Sequence, residues 1–256
     1  MANISYEKNT APNKHTVQKA IYKWISNNIK NKYPNILMLS GKYPEETLQL
    51  IKNQFSMAFI FAYERDQNIF NYIKTNTIDN LKKIAMPSLF ELYNKDVMTA
   101  HNNYNIEDLD FCRTFLYKRR NDFNKIYNHD TIAQFQKRLL GMKHSQITAP
   151  KALIGTVSTR NGMGKEHTIK CLNSLCYVLG YTIETVDDLI NDYSLGEFVP
   201  GSGCLHKNDG VYYAYEHKIK VKSLSNYVHD ACTKMEIRMF TYTDTQPMLT
   251  FAIIFE

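Results

Sequence analysis

Short apolar runs alternate along the chain with segments whose apolar positions recur every three or four residues. Ile36-Leu37-Met38-Leu39 breaks at Ser40-Gly41, Pro44-Glu45-Glu46 opens an amphipathic segment, and a second apolar run at 57–63 closes on Glu64-Arg65-Asp66. This order is the pattern of a βαβ unit whose parallel strands are buried on both faces. Upstream, Val17, Ala20, Ile21, Trp24, Ile25 and Ile29 fall at helical spacing within residues 14–31. They predict a leading helix, stopped by Pro34 and preceded by a polar arm at 1–13. Downstream, Ile69, Phe70 and Ile73 predict one face of a short helix. Residues 77–95, broken by Pro87, read as a helix, as a strand with a turn, or as both, and a third strand is placed at 96–101.

Residues 104–113 predict a further strand, loaded with Glu107, Asp108 and Asp110 toward its carboxyl end. A helix follows at 131–142 and a strand at 151–158; the next helix carries Ile169, Leu172, Leu175, Cys176 and Leu179, with Gly180 placed to cap it. In the last third, 211–221 alternates as one strand. Residues 235–243 and 248–255 are strands flanking the turn-forming Asp244-Thr245-Gln246-Pro247. The expectation is an α/β domain at 34–256, preceded by the arm and leading helix at 1–33. Its sheet begins as parallel βα units and is closed by a C-terminal antiparallel hairpin.

Composition narrows the partners. A chain of 256 residues with 44% hydrophobic content has material for one large core. Its net charge of +6 turns the partner question toward polyanions, nucleic acid among them. The five cysteines are odd in number and lack CxxC spacing, so reduced thiols in a cytoplasmic setting are expected. No zinc site of the common kind is expected, and the histidines show no metal spacing. The absence of a long apolar run argues against a membrane partner.

The candidate chemistry sits at predicted strand ends, where open α/β sheets bind ligands. Glu64, with Asp66 as competitor, stands where such folds grip a ribose diol; the alternative is that both simply favour the start of the next helix. Gly162-Met163-Gly164-Lys165 before a helix could cradle a phosphate, or form a glycine-rich turn with a solvated lysine. Lys118, Arg119 and Arg120 beside Tyr117, together with Arg160 and Lys165, are candidate contacts to nucleic-acid phosphates, against the alternative of a solvated basic surface. The GxGxxG fingerprint of dinucleotide enzymes is absent, as is the P-loop spacing.

Taken together, Ile36 to Gly41, Tyr63-Glu64-Arg65-Asp66, Asp108 to Cys112, Ile154 to Arg160 and the closing hairpin resemble the class I S-adenosylmethionine-dependent methyltransferases over residues 35–256. The set is most similar to divergent methyltransferase-like proteins of viruses and mobile elements, which would imply a host cytoplasm. The resemblance implies a Rossmann-like methyltransferase fold and S-adenosylmethionine as cofactor. Gly41 would approach the cofactor's methionine part, Glu64 or Asp66 would accept from the ribose, and Asp108 and Asp110 would occupy the catalytic or substrate-orienting place. Nucleic acid is the expected methyl acceptor. The first loop offers only Gly41, followed by Lys42 and Tyr43, and no Asn/Asp-Pro-Pro-aromatic motif is present. A catalytically inactive methyltransferase-like module that binds nucleic acid or protein is the alternative.

Overall fold

The computed structural model describes residues 12–111, 131–148, 150–158, 165–186, 214–243 and 247–256. Four of the residues singled out above for nucleic acid, Lys118, Arg119, Arg120 and Arg160, lie outside this set, as do the 1–11 arm, Gly162 to Gly164 and the 244–246 turn. Lys165 begins a helix, but its side chain is outside the described set too.

The chain up to Ser158 builds five parallel strands. A helix, α1 (Pro12–Asn28), precedes β1 (Asn35–Leu39), α2 (Glu45–Gln54) and β2 (Phe59–Tyr63). Two short helices, α3 (Gln67–Asn76) and α4 (Ile78–Ala85), lead to β3 (Leu89–Tyr93), and a single 3-10 turn at Val97–Thr99 leads to β4 (Ile106–Asp110). Then come α5 (Thr131–Lys143), β5 (Lys151–Ser158), α6 (Lys165–Val178) and β6 (Tyr181–Val186). The last third contributes β7 (Ala214–His217), β8 (Ile219–Ser223), β9 (Met235–Thr243) and β10 (Pro247–Phe255).

Eight strands form one sheet in the order β3-β2-β1-β4-β5-β10-β9-β7, and β6 pairs with β8 in a small second sheet. Strands β1 to β5 run parallel, whereas β10 joins β5 antiparallel, from Met248 opposite Ser158 to Phe255 opposite Lys151. The chain reverses direction of build at β1, with β2 and β3 to one side and β4 and β5 to the other. This is the Rossmann-like methyltransferase fold expected from the sequence, with the closing hairpin in its expected place.

Alternation along each strand sends side chains to two different layers. Ile36, Met38, Ile60, Ala62, Ile106 and Ile154 pack with α1, α2 and α4. Leu37, Leu109, Leu153, Val157 and Phe251 pack with α5 and α6. Residues on β5 are buried throughout, as a central strand covered on both faces requires. The crossover from β3 to β4 carries only the 3-10 turn in place of an α-helix. An aromatic cluster of Phe61, Tyr63, Tyr93, His101 and Tyr104 fills that space, with His101 stacked on Tyr104 at 4.3 Å.

Two expected strands are corrected. The third strand is Leu89–Tyr93 rather than 96–101; Asp96 instead caps the 3-10 turn, its Oδ1 accepting from the Met98 amide at 2.9 Å. β3 is an edge strand with one open face, leaving Leu89 58% exposed, so its apolar pattern is diluted. The run at 211–221 holds two strands, β7 in the large sheet beside β9 and β8 beside β6. A period of two continues across Lys218 but carries no information on which strand each half pairs with.

Across the α5 face, Arg138 donates to the Glu107 carboxylate through Nε at 2.8 Å and Nη2 at 2.5 Å, and to the Ala100 and His101 carbonyls at 2.9 Å each. Both side chains are buried. Burial pushes the Glu107 carboxyl up, and the guanidinium opposes that rise. Replacing only one partner would leave the other charge unpaired in the core. Arg138→Met should therefore destabilise the fold by about 3–5 kcal/mol in urea titration, and adding Glu107→Leu should recover most of the loss. A double variant no more stable than the single one would contradict the pairing argument.

Candidate functional site

Three of the residues singled out in the sequence meet at the carboxyl edge of the sheet. Gly41, Glu64 and Asp110 line one open cavity of about 190 Å3, together with Leu39, Tyr63, Arg65, Lys95, Asp96, Val97, Phe111 and Gln134. They follow or end β1, β2 and β4, adjacent in the sheet, so the parallel order alone brings them together. Clefts that bury a drug-sized ligand usually measure roughly 300–1,000 Å3. Among the described residues, the cleft thus encloses only part of a nucleoside-sized ligand.

Each of the three is placed by local chemistry. Gly41 has a φ of +56°, in the left-handed region where a side chain is strained. A Cβ built there would meet no atom within 4 Å, so open space lies beside this turn where a ligand can approach the backbone. Glu64 is held at the end of β2 by its amide donating to the Tyr93 carbonyl at 2.9 Å, while Asn94 Nδ2 donates to its carbonyl at 2.9 Å. Its Oε1 accepts from the Asp66 amide at 2.8 Å. Partial burial raises the Glu64 carboxyl above its ordinary value, the Asp66 amide drawing it back.

Asp66 is occupied differently. Its Oδ1 accepts from the Asn68 amide at 2.8 Å and the Ile69 amide at 3.2 Å, which makes it the N-cap of α3. It does not line the cleft. Glu64 is the acid that does.

The carboxylates of β4 point to both sides of the sheet. Asp108 is buried, and Tyr22 of α1 donates to its Oδ2 at 2.5 Å. Its Oδ1 has no hydrogen-bond partner among the described residues, and it does not line the cleft. Burial raises its carboxyl to about 6, with the Tyr22 hydrogen bond opposing, Asp110 adding to the rise and Lys14 opposing it. Asp110, two residues on, forms an ion pair with Lys14 near the start of α1 while remaining part of the cleft wall. Neither Lys14 nor Tyr22 lines the cleft, and their contacts to β4 were not expected, because their partners stand 96 and 86 positions away in the chain. Arg65, Lys95 and Asp96 also reach the cleft, each at or just past the end of β2 or β3.

No protein-family model and no curated protein matches the chain. Among solved structures it is similar to M. jannaschii TYW2 in complex with AdoMet, at 10% identity and a TM-score of 0.45, covering 98% of this chain and 78% of that one. It is similar to a putative rRNA-methylase from Clostridium thermocellum, at 10% identity and a TM-score of 0.45, covering 98% and 99%. The plantazolicin methyltransferase BpumL in complex with SAH is a third, at 10% identity and 0.47, covering 95% and 84%.

The Asp108 environment makes a stability prediction. Its folded value of about 6 lies above the unfolded value of about 4, so its contribution is fully present below about pH 4 and is lost as pH rises through about 6. Asp108→Asn keeps an acceptor for Tyr22 but removes the charge. Relative to wild type, the variant should gain as pH rises from about 4 to about 7, by roughly 3 kcal/mol at most. Denaturant titrations across that range read the difference, and a difference that stays flat would refute the assignment.

Proposed function

We propose that the protein is an S-adenosylmethionine-dependent methyltransferase acting on nucleic acid. The observation that carries this reading is the convergence of Gly41, Glu64 and Asp110 on one cleft at the carboxyl edge of the sheet. The residues present fit the cofactor. The open space beside Gly41 accommodates a ligand against the backbone, and Glu64 offers a carboxylate to a ribose diol. Leu39, Tyr63, Val97 and Phe111 supply apolar walls for a flat ring.

When bound, the cofactor would supply an activated methyl group to the acceptor's lone pair and leave as the demethylated thioether. The protein's share is alignment and proton handling. Glu64 holds the ribose end, Asp110 orients the acceptor and can take its proton, and the apolar wall limits water. The nucleic-acid assignment rests on the net charge of +6, which favours a polyanionic partner.

Calorimetric titration tests the site. Glu64→Ala should weaken S-adenosylhomocysteine binding about tenfold or more, since each charge-assisted hydrogen bond contributes about 1.5–3 kcal/mol, while circular dichroism stays unchanged. Asp66→Ala should instead cost about 0.5–2 kcal/mol of stability through the lost cap and leave affinity alone. Unchanged affinity in Glu64→Ala would sink the ribose assignment. Wild-type protein that binds no cofactor, yet binds nucleic acid with steep salt dependence, would select the inactive binding module.

A further inference from the structure

Three lysines stand in a row on the small second sheet. In β8, Ile219 and Val221 pack toward the layer of α5 and α6, so alternation turns Lys220 and Lys222 to the opposite, open face. Lys218 precedes them at the same period of two and is exposed as well. Lys220 pairs with Glu184 of β6 at 2.7 Å, the two side chains 71% and 42% exposed, whereas Lys218 and Lys222 make no ion pair among the described residues. A pair so open to water contributes little to stability. Alternate residues of a strand recur about every 6.6 Å, close to the separation of successive phosphates on an extended single strand.

One end of the same sheet carries exposed rings. Tyr181 and Ser223 are register partners there; Tyr177 comes shortly before the first and Tyr227 shortly after the second. The Gly180 amide donates to the Tyr177 carbonyl at 3.0 Å, the Leu224 amide to the Gly180 carbonyl at 2.8 Å and the Tyr227 amide to the Leu224 carbonyl at 2.7 Å. Backbone hydrogen bonds thus tie both tyrosines to that end. At 62% and 85% they are the most exposed aromatic side chains among the described residues. Lysines that track a backbone beside rings open to stacking are the parts from which sites for single-stranded nucleic acid are built. A double helix keeps its base faces stacked internally and would leave the rings without a partner.

We propose that the open face of β6 and β8 is a docking surface for single-stranded nucleic acid, with Lys218, Lys220 and Lys222 on successive phosphates and Tyr227 and Tyr177 at the base-stacking end. Glu184 opposes that binding, because it occupies Lys220. The surface deepens the nucleic-acid half of the reading above, giving it a place in the fold, and depends on neither the cofactor nor methyl transfer.

The test uses the full chain and fluorescein-labelled oligouridylate and oligothymidylate of about 12 nucleotides, read by fluorescence anisotropy across a salt series. Lys218→Gln, Lys220→Gln and Lys222→Gln combined should weaken binding about tenfold or more. The slope of log affinity against log salt should fall by about two, since each phosphate contact on a single strand contributes about 0.7. Glu184→Gln frees Lys220 and should tighten binding about threefold. Tyr227→Ala should weaken it about tenfold and leave the slope unchanged. Lys74→Gln, Lys82→Gln and Lys83→Gln combined, on the exposed surface of α3 and α4 beside β3, should keep the wild-type slope. A lysine variant of β8 with the wild-type slope, or a Glu184→Gln variant that binds no tighter, overturns the docking surface. So does wild-type protein that ignores both oligonucleotides and binds phosphatidylserine vesicles through the same lysines, which would assign the face to a membrane. Calorimetry with S-adenosylhomocysteine should give one affinity in all of these variants. Oligonucleotide binding without cofactor binding keeps the docking surface and removes the methyltransferase reading; the reverse result keeps the cleft and removes the surface.

Discussion

A carboxylate on a central strand must find a partner, because burying an unpaired charge costs more than a fold of this size can spare. β4 carries three of them, and alternation sends them to opposite layers. Glu107 meets Arg138 of α5 below the sheet; Asp108 meets Tyr22 and Asp110 meets Lys14, both of α1, above it. One strand therefore fixes the helices on both faces. The Arg138 guanidinium also holds the Ala100 and His101 carbonyls, so the helix-free crossover before β4 is tied down by the same residue.

This arrangement separates two roles that look alike in the sequence. Glu107 and Asp108 are buried and face packed helices, whereas Asp110 comes one step later, at the end of β4, where the sheet stops and the cleft begins. Glu64 and Asp66 divide in the same way. The first faces the cleft, and the second closes the first turn of α3 through two backbone amides. In each pair, one residue stands on the cleft wall at a strand end, and the other serves the backbone or the core.

The parts legible in the sequence were those with strong periodicity. β5 falls at the expected residues because both of its faces are apolar, and the closing hairpin because turn residues separate two apolar runs. Gly41, Glu64 and Asp110 could be found because each follows a strand whose direction the βαβ pattern dictates. β3 was displaced because its open face dilutes the pattern, and β6 went unread because Thr182, Glu184 and Thr185 interrupt it. Lys14 and Tyr22 carried no local signal. Only the packing of α1 over β4 gives them partners, and long-range pairing of that kind cannot be read from spacing.

The central claim is that the cleft on which Gly41, Glu64 and Asp110 converge at the carboxyl edge of the sheet takes the cofactor, with Asp110 on the acceptor's side. The most direct measurement is the backbone amide chemical-shift map of the protein titrated with S-adenosylhomocysteine. Saturable shifts concentrated at Gly41, Glu64, Arg65, Asp110 and Phe111, with the opposite sheet edge around Asn35 and Lys151 unmoved, are the predicted result. Shifts confined to that opposite edge, or no saturable shift at all, would contradict it.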